Sequence, residues 1–183
     1  MSLVIVDRDG VINFDSDDYI KCQSEWRPIP GSLEAIARLS QAGFTVAVAT
    51  NQSGLARGLF DLDDLEAINA HMLDCVAALG GNIAGVFYCP HHPDDGCDCR
   101  KPQPGLITAI ESELSVSAKG TPFIGDSLRD IQAGLAKGCK PLLVRTGKGE
   151  NTLAQLPEAL RQEVEVFADL ASAADYILEH YSN

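Results

Sequence analysis

The hydrophobic positions of this chain follow two patterns that alternate from beginning to end. Short, mostly apolar runs predict strands that are buried on both faces of a sheet. These runs occupy residues 3–6, 44–49, 83–88, 121–124, 141–144 and 166–167. Between them, apolar residues recur every three or four positions, which predicts helices that pack on the sheet by one face. The predicted helices cover residues 32–41, 61–79, 105–114, 128–137, 153–164 and 170–181.

Residues typical of helix ends support these boundaries. Ser32 can cap the first helix and Gly43 can end it, while Asp61 or Asp63 begins the second. The strand–helix alternation predicts an α/β protein with a Rossmann-like, three-layer parallel sheet and helices on both faces. A chain of this length is expected to form one domain, residues 1–183.

Charge and composition narrow the classes of partner. The net charge is −12, whereas proteins that bind nucleic acid need a basic face. No apolar run approaches the ~20 residues that span a bilayer, and the first residues lack the basic region of a signal peptide. The sequence therefore predicts a cytoplasmic protein that binds neither nucleic acid nor membrane.

The first strand delivers two carboxylates, Asp7 and Asp9, to its carboxyl end, where ligands bind in open α/β sheets. Their i, i+2 spacing points both side chains in the same direction. Like charges this close are costly unless a cation such as Mg²⁺ shares them. The alternative interpretation is a solvated acidic turn after an edge strand.

Polar residues follow two other strands. Residues 50–54, Thr-Asn-Gln-Ser-Gly, offer a hydroxyl and backbone N–H groups to phosphate oxygens, or form an ordinary turn. Asp126 and Asp130 lie one helical turn apart after the fourth strand, and plain helix capping is the alternative for Asp126. The glycine-rich basic loop at residues 145–149 is interpreted as a turn.

A cysteine-rich loop follows the third strand. Three thiols and one imidazole, from Cys89, His91, Cys97 and Cys99, make a complete tetrahedral set for Zn²⁺. A complete set leaves no open position, so this zinc is expected to be structural. His92 competes with His91, which is preferred because the Cys-x-His and Cys-x-Cys spacings then match. The alternative is a reduced loop without metal.

Two cations, Arg100 and Lys101, end this loop, and in an acidic protein they are expected to face an anionic ligand or the Asp pair.

Four of these segments, taken together, carry a resemblance. Residues 7–10, 50–52, 101–102 and 125–130 resemble, in order, the four motifs of the haloacid dehalogenase superfamily of phosphatases, and the similarity spans residues 3–145. The DRDG, TNQSGLARG and CPHH…CDCRKP sequences are similar to those of D-glycero-D-manno-heptose 1,7-bisphosphate 7-phosphatases. Histidinol-phosphate phosphatases are close relatives of that group.

The resemblance implies a role for each motif. Asp7 would attack phosphorus and form an aspartyl-phosphate, and Asp9 would act as general acid and then base. Thr50 and Lys101 would bind the phosphoryl oxygens. Mg²⁺ would be held by the carboxylates of Asp7 and Asp126 and the backbone carbonyl of Asp9.

The gaps between motifs leave no room for the cap domain of larger relatives. A flap at residues 14–30, the loop 53–60 and the zinc loop 89–101 must then recognise the substrate. The expected substrate-binding residues are Asp15, Tyr19, Asn51, Gln52, Ser53, Arg57 and Arg100. Arg57 is expected to contact a distal phosphate.

The implied function is Mg²⁺-dependent removal of the 7-phosphate of a phosphosugar, in the synthesis of nucleotide-activated heptose for lipopolysaccharide or surface glycans, by a monomer. Histidinol-phosphate hydrolysis is one alternative, and a catalytically silent zinc module that binds a phosphosugar is another. Asp130 is expected to orient Lys101 or a metal-bound water. Ser127 stands where some relatives carry Lys, and Arg129 or Lys101 would compensate for the missing cation.

Overall fold

A computed structural model describes residues 2–181. Its centre is a six-stranded sheet in the order β3-β2-β1-β4-β5-β6, in which every neighbouring pair is parallel. The strands are β1 Leu3–Val6, β2 Thr45–Asn51, β3 Gly85–Cys89, β4 Pro122–Gly125, β5 Lys140–Val144 and β6 Glu165–Phe167. The predicted α/β class with a parallel sheet is confirmed.

Seven α-helices are assigned within residues 2–181. They are α1 Ser32–Gln41, α2 Leu62–Ala78, α3 Gly105–Leu114, α4 Leu128–Ala136, α5 Gly149–Gln155, α6 Glu158–Arg161 and α7 Leu170–His180. In the same part of the chain, no helix has both the length and the apolar character required to cross a bilayer.

The sheet separates two apolar clusters, which gives the three-layer arrangement. Val4 and Val6 of β1 pack in one cluster with residues of α1, α2 and α7. Leu3 and Ile5 pack in the other cluster, with α3 on the opposite face. Successive side chains of a strand point to opposite faces, so this four-residue run has to be apolar throughout.

Two helix boundaries differ from the sequence-based prediction. Ser32 does not cap α1, because Gly31 occupies that position with φ +86° and the Ser32 hydroxyl donates to the carbonyl of Val11 instead. The predicted helix at residues 153–164 is two short helices, α5 and α6. Pro157 disfavours the helical conformation at Leu156, whose ψ is 122°.

The segment predicted as a flap, residues 14–30, is closed at its base. The N–H of Phe14 donates to the carbonyl of Arg27, and Asn13 forms an antiparallel bridge with Pro28. Ile20 and Trp26 are buried against the rest of the protein. This loop lies beside the carboxyl end of the sheet, where it contributes residues to the cavity described next.

Candidate active site

A cavity of roughly 390 Å³ lies at the carboxyl ends of the central strands. It brings together residues from the end of β2, the loops after β1, β2, β3, β4 and β5, and the start of α4. Among the residues predicted to act in catalysis or substrate binding, it is lined by Asp7, Asp9, Asp15, Tyr19, Thr50, Asn51, Gln52, Ser53, Arg57, Arg100, Lys101 and Asp126. The strand ends therefore meet as the sequence pattern predicted.

Asp7 sits at the base of this cavity, directly after β1. Its Oδ1 lies 3.0 Å from Nζ of Lys101 and accepts a 2.8 Å hydrogen bond from the N–H of Arg8. Burial and the negative charges of Asp130 and Asp126 raise the pKa of Asp7 well above its usual value, although Lys101 opposes them. An added cation beside Asp7 would favour its ionised form.

Lys101 is itself almost wholly buried. Its ammonium group donates to the Asp130 carboxylate at 2.6 Å and to the carbonyl of Ala49 at 2.8 Å. Burial alone would lower the pKa of Lys101, but Asp130 and Asp7 together raise it above its usual value. Asp130 was expected to orient Lys101 or a metal-bound water, and the structure shows its contact with Lys101.

Asp126 lies opposite Asp7 in a cradle of backbone. Its Oδ2 accepts a 2.8 Å hydrogen bond from the N–H of Lys148, and a Cβ atom added at Gly10 or Gly147 would come within 2.1 or 2.2 Å of that oxygen. The close approach therefore requires glycine at both positions. Burial and the charge of Asp130 raise the pKa of Asp126 to about 7.

The carboxylates of Asp7, Asp126 and Asp130 offer oxygen atoms within 4.8 Å of one another. Asp130 is committed elsewhere, because it accepts from Lys101 and from the N–H and hydroxyl of Ser127, which caps α4. Asp7 and Asp126 are thus the two carboxylates available to a hard cation. Oxygen ligands and two negative charges are the donor set that Mg²⁺ prefers.

Asp9 has a different environment from Asp7. Its Oδ1 accepts from Nε of Arg8 and Nδ2 of Asn13, and its Oδ2 accepts from Nη2 of Arg8 and Nε2 of Gln52, all at 2.9–3.2 Å. Burial would raise the pKa of Asp9, but the charge of Arg8 and the hydrogen bonds lower it. Asp9 is therefore an ionised group with four donors around it.

The residues after β2 join these groups into one network. Nε2 of Gln52 donates to Asp9 and also to Oγ1 of Thr50, each at 3.0 Å. Since the Thr50 oxygen accepts this bond, its own proton remains available to a ligand oxygen. Asn51 pairs its amide with the backbone N–H and carbonyl of Lys101, at 3.0 and 3.1 Å.

The cavity is also lined by three guanidinium groups, those of Arg57, Arg100 and Arg129. Arg57 lies over the Tyr19 ring, with 5.9 Å from Cζ to the ring centroid. Arg100 has a buried Nη1 atom without a hydrogen-bond partner, and burial and the charge of Arg129 lower the pKa of Arg100. Within residues 2–181, none of the three forms an ion pair with a carboxylate.

Lys148 was not predicted as a site residue, because residues 145–149 were interpreted as a turn. Its side chain lines the cavity, and its Nζ lies 3.4 Å from Oδ2 of Asp15. Gly147 and Gly149 flank it in a loop that leaves the carboxyl end of β5. Its position shortly after a parallel strand could have indicated a site residue, because ligands bind at the carboxyl ends of such strands.

The cysteine-rich loop brings four candidate ligands together. Sγ of Cys99 lies 3.1 Å from Sγ of Cys89 and 3.2 Å from Nδ1 of His91, and Sγ of Cys97 lies 3.6 Å from Cys89. Burial and the neighbouring thiols raise the pKa of Cys99 to about 12, which disfavours its thiolate form. A bound cation would instead favour the thiolate. His92 instead accepts from the N–H of Asp94 in a short turn.

The chain is similar to several known phosphatases that share one enzyme name. Residues 98–173 match the HAD-hydrolase-like family. The D-glycero-β-D-manno-heptose-1,7-bisphosphate 7-phosphatase of Pseudomonas aeruginosa is 56% identical over 97% of this chain and 98% of its own. The enzyme of that name from Bordetella bronchiseptica is 54% identical over 98% of this chain and 99% of its own.

A solved structure adds a geometric comparison. The crystal structure of D,D-heptose 1,7-bisphosphate phosphatase from B. bronchiseptica, complexed with magnesium and phosphate, superimposes with a TM-score of 0.93 at 53% identity. The match covers 98% of this chain and 99% of that one.

Proposed function

The chain belongs to the D-glycero-β-D-manno-heptose-1,7-bisphosphate 7-phosphatase family of haloacid dehalogenase-like hydrolases, and we propose that it removes the 7-phosphate of this bisphosphate. It is a phosphoric monoester hydrolase. The product, a heptose 1-phosphate, would supply the synthesis of nucleotide-activated heptose for lipopolysaccharide or surface glycans.

The observation that carries the proposal is that one cavity combines the candidate reacting groups with further cations. Asp7, Lys101 and Thr50 line it together with the guanidiniums of Arg57 and Arg100, and neither guanidinium forms an ion pair with a carboxylate of residues 2–181. A monophosphate would need only the first group of residues. A bisphosphate of suitable length would use the guanidiniums as well, since each guanidinium can bind a phosphate through charge-assisted hydrogen bonds.

Mg²⁺ would be held by the carboxylates of Asp7 and Asp126 and by the backbone carbonyl of Asp9. The solved relative from B. bronchiseptica is a complex with magnesium. Bound Mg²⁺ would neutralise part of the charge of the phosphoryl group. Burial first and then the charge of Asp130 raise the pKa of both Asp7 and Asp126, so a cation held by these two carboxylates would be electrostatically favourable.

In the first half-reaction, a carboxylate oxygen of Asp7 attacks phosphorus, and the bond between phosphorus and the C7 oxygen breaks. Asp9 donates a proton to that oxygen, which leaves as an alcohol. Lys101 and the hydroxyl of Thr50 bind the phosphoryl oxygens and stabilise the charge that develops on them. The incoming phosphate raises the pKa of Asp9 by its negative charge, so Asp9 can take up the proton that it then transfers.

In the second half-reaction, Asp9 removes a proton from a water molecule, which attacks the phosphorus of the aspartyl-phosphate. The bond between phosphorus and the Asp7 oxygen then breaks, so that inorganic phosphate leaves and the Asp7 carboxylate is restored. Asp9 thus has opposite proton-transfer roles in the two half-reactions. Its position beside the cavity and its contact with Gln52 support this assignment.

We propose a structural role for the cysteine-rich loop. Cys89, His91, Cys97 and Cys99 would bind one Zn²⁺ as a closed tetrahedral set. The same loop carries Arg100 and Lys101 into the cavity, so the metal would fix the position of both cations. Neither the zinc nor its ligands would contact the reacting phosphate.

Histidinol phosphate is the second candidate substrate, because Asp15 and Asp17 also line the cavity and a carboxylate could accept its amine. The charge balance opposes this candidate. Asp15 is already paired with Lys148, whereas Arg57 and Arg100 form no ion pair with any carboxylate in the described part of the chain. A catalytically silent phosphosugar-binding module would not require a carboxylate with the contacts of Asp9.

The test is a phosphatase assay on heptose 1,7-bisphosphate and histidinol phosphate, with and without Mg²⁺, followed by ³¹P NMR. We expect Mg²⁺-dependent loss of the 7-phosphate and little hydrolysis of histidinol phosphate. The Asp7→Asn variant should fold and be inactive, because the amide is a poor nucleophile. Release of the 1-phosphate or preference for histidinol phosphate would overturn the substrate assignment, and an inactive wild-type enzyme would favour the silent module.

We also propose that residues 1–183 act as a single catalytic domain without a cap, as a monomer in the cytoplasm. The flap, the loop 53–60 and the zinc loop already provide walls for the cavity, so a cap is not required to surround the substrate. Size-exclusion chromatography with light scattering would test the monomer. Fractionation of cells would test the location.

A further inference from the structure

We infer that the buried guanidinium of Arg8 is a positioning residue for the proposed reaction, which aims the carboxyl group of Asp9 at the leaving-group oxygen of the substrate. The inference rests on the proposed function, in which Asp9 is the general acid and base. Arg8 itself does not line the cavity and is therefore not expected to contact the substrate.

The first observation is the geometry of the contact between the two side chains. Nε of Arg8 donates to Oδ1 of Asp9 at 3.0 Å, and Nη2 donates to Oδ2 at 3.2 Å. Two parallel hydrogen bonds from a planar group fix the plane of the carboxylate as well as its position. A single ammonium donor would hold only one of the two oxygens, and the orientation of the carboxylate would then depend on the amides of Asn13 and Gln52.

The second observation is that Arg8 is itself anchored to a different element. Its side chain has no exposed surface, and its Nη1 donates to Oδ1 of Asn69 in α2 at 3.3 Å. Asn69 is also buried. Arg8 therefore fixes the orientation of Asp9 relative to α2, which packs on the sheet, and not only relative to the loop in which Asp9 lies.

Stability alone is a weak explanation for this arrangement. Replacing a buried ion pair by packed apolar side chains is often neutral or stabilising, so the pair is not required for a stable core. What an apolar side chain cannot supply is a fixed direction for the Asp9 oxygens. General acid catalysis depends on that direction, because misplacement by about 1 Å can cost about 100-fold in rate.

The experiment compares two variants with a matched control. Arg8→Lys keeps the charge and loses the two parallel bonds, while Asn69→Ala keeps those bonds and loses the anchor. Ser32→Ala removes a buried hydrogen bond to the neighbouring Val11 carbonyl without touching Asp9. Each protein is mixed in excess with heptose bisphosphate or p-nitrophenyl phosphate, and leaving-group release is followed in a single turnover.

If Arg8 acts through Asp9, the variants should slow leaving-group release to different extents with the two substrates. Release of the sugar, a poor leaving group, should slow about 10- to 100-fold in Arg8→Lys and less in Asn69→Ala. Release of p-nitrophenolate, which needs little protonation, should slow by less than about threefold. In an Asp9→Asn background, Arg8→Lys should have almost no further effect, because the group through which it acts is gone.

Equal slowing with both substrates, or an undiminished effect in the Asp9→Asn background, would overturn the positioning role. If Arg8→Lys does not fold, Asn69→Ala tests the inference instead, because that variant preserves the charges of Arg8 and Asp9. If the wild-type enzyme itself releases no sugar, the proposed function fails. If the wild-type enzyme is active but only Asp9→Asn slows sugar release more than p-nitrophenolate release, the inference about Arg8 fails while the proposed function stands.

Discussion

Nζ of Lys101 lies 2.6 Å from the Asp130 carboxylate, and both side chains are almost wholly buried. Lys101 is also the nearest cation to Asp7, at 3.0 Å. A single ammonium group therefore serves the proposed nucleophile and the start of α4 together. Its removal would leave two close carboxylates buried without their cation.

The first prediction concerns this ammonium group. Lys101→Met should lower the free energy of unfolding by about 3–5 kcal/mol in the absence of Mg²⁺ and should abolish turnover. Arg38→Met is the control, because Arg38 pairs with Asp175 at the same 2.6 Å distance but both side chains are about half exposed. That variant should cost less than about 1 kcal/mol. Urea unfolding measures both, and equal losses would contradict the argument from burial.

The second prediction concerns pH. The folded-state pKa of Asp126 is raised from 3.8 to about 7, so between these values the folded protein binds more protons than the unfolded chain. Stability must therefore fall as pH rises through this window. Added Mg²⁺ should reduce the decline by replacing the proton.

The control for this window is Asp126→Asn, which has no group to titrate there. The difference in unfolding free energy between wild type and variant, measured without added Mg²⁺ at several values between pH 5 and 8, should change in favour of the variant as pH rises. Effects of pH on groups that do not interact with Asp126 cancel in this difference, and Asp7, whose pKa is raised by burial, by Asp130 and also by Asp126, changes it in the same direction. A difference that is independent of pH would contradict the assigned cause.

Much of the site was predictable because its residues follow strands. Asp7, Thr50 and Asp126 come at the ends of β1, β2 and β4, and parallel strands bring those ends to one edge of the sheet. Lys101 was identified by its place after the cysteine-rich loop. Its burial between Asp7 and Asp130 is a property of the packed chain.

Other features depend on three-dimensional context that a linear pattern lacks. Arg side chains are usually exposed, so nothing in the sequence indicated that Arg8 is buried against Asn69, which lies 61 residues away. Lys148 was missed because a glycine-flanked loop is equally typical of a turn. Ser32 is a good capping residue, but a glycine with positive φ precedes it and its hydroxyl bonds Val11.

The third prediction distinguishes the two neighbouring histidines. Purified protein should contain about one Zn²⁺ per chain, and His91→Ala should lose it, because Nδ1 of His91 lies among the three thiols. His92→Ala should keep it, since the His92 ring contacts Asp94 and is not part of the ligand cluster. Elemental analysis of protein purified under reducing conditions gives the stoichiometry. Zinc retained by His91→Ala and lost by His92→Ala would reverse the assignment.

Cys97→Ser should accordingly lower thermal stability more than it changes the rate of the chemical step in the protein that remains folded. The physical reason is that zinc binding contributes to folding, whereas the loop lines the cavity through Pro93, Arg100 and Lys101 and not through the four candidate zinc ligands. The two effects are separated by a thermal unfolding curve and a single-turnover rate. Wild-type stability in the zinc-free variant would exclude a structural metal.

The fourth prediction concerns the distal phosphate, where the charge of the cavity wall decides the substrate. Arg57 lies over the ring of Tyr19 and has no carboxylate partner among residues 2–181, so its guanidinium can bind an anion without first breaking an ion pair with them. Arg57→Ala should lower kcat/KM for heptose bisphosphate about tenfold or more, which corresponds to the loss of a charge-assisted hydrogen bond of about 1.5–3 kcal/mol. A small monophosphate that does not reach this wall should be hydrolysed almost as before.

Tyr19→Leu provides the matched test of how Arg57 is held. It removes the ring and its cation–π contact but keeps the guanidinium, so the loss on the bisphosphate should be smaller than in Arg57→Ala and in the same direction. The double variant should be no worse than Arg57→Ala alone, because Tyr19 would act through Arg57. Equal losses on the bisphosphate and the monophosphate would mean that Arg57 serves the reacting phosphate or the fold, since a distal contact cannot affect a substrate that never reaches it.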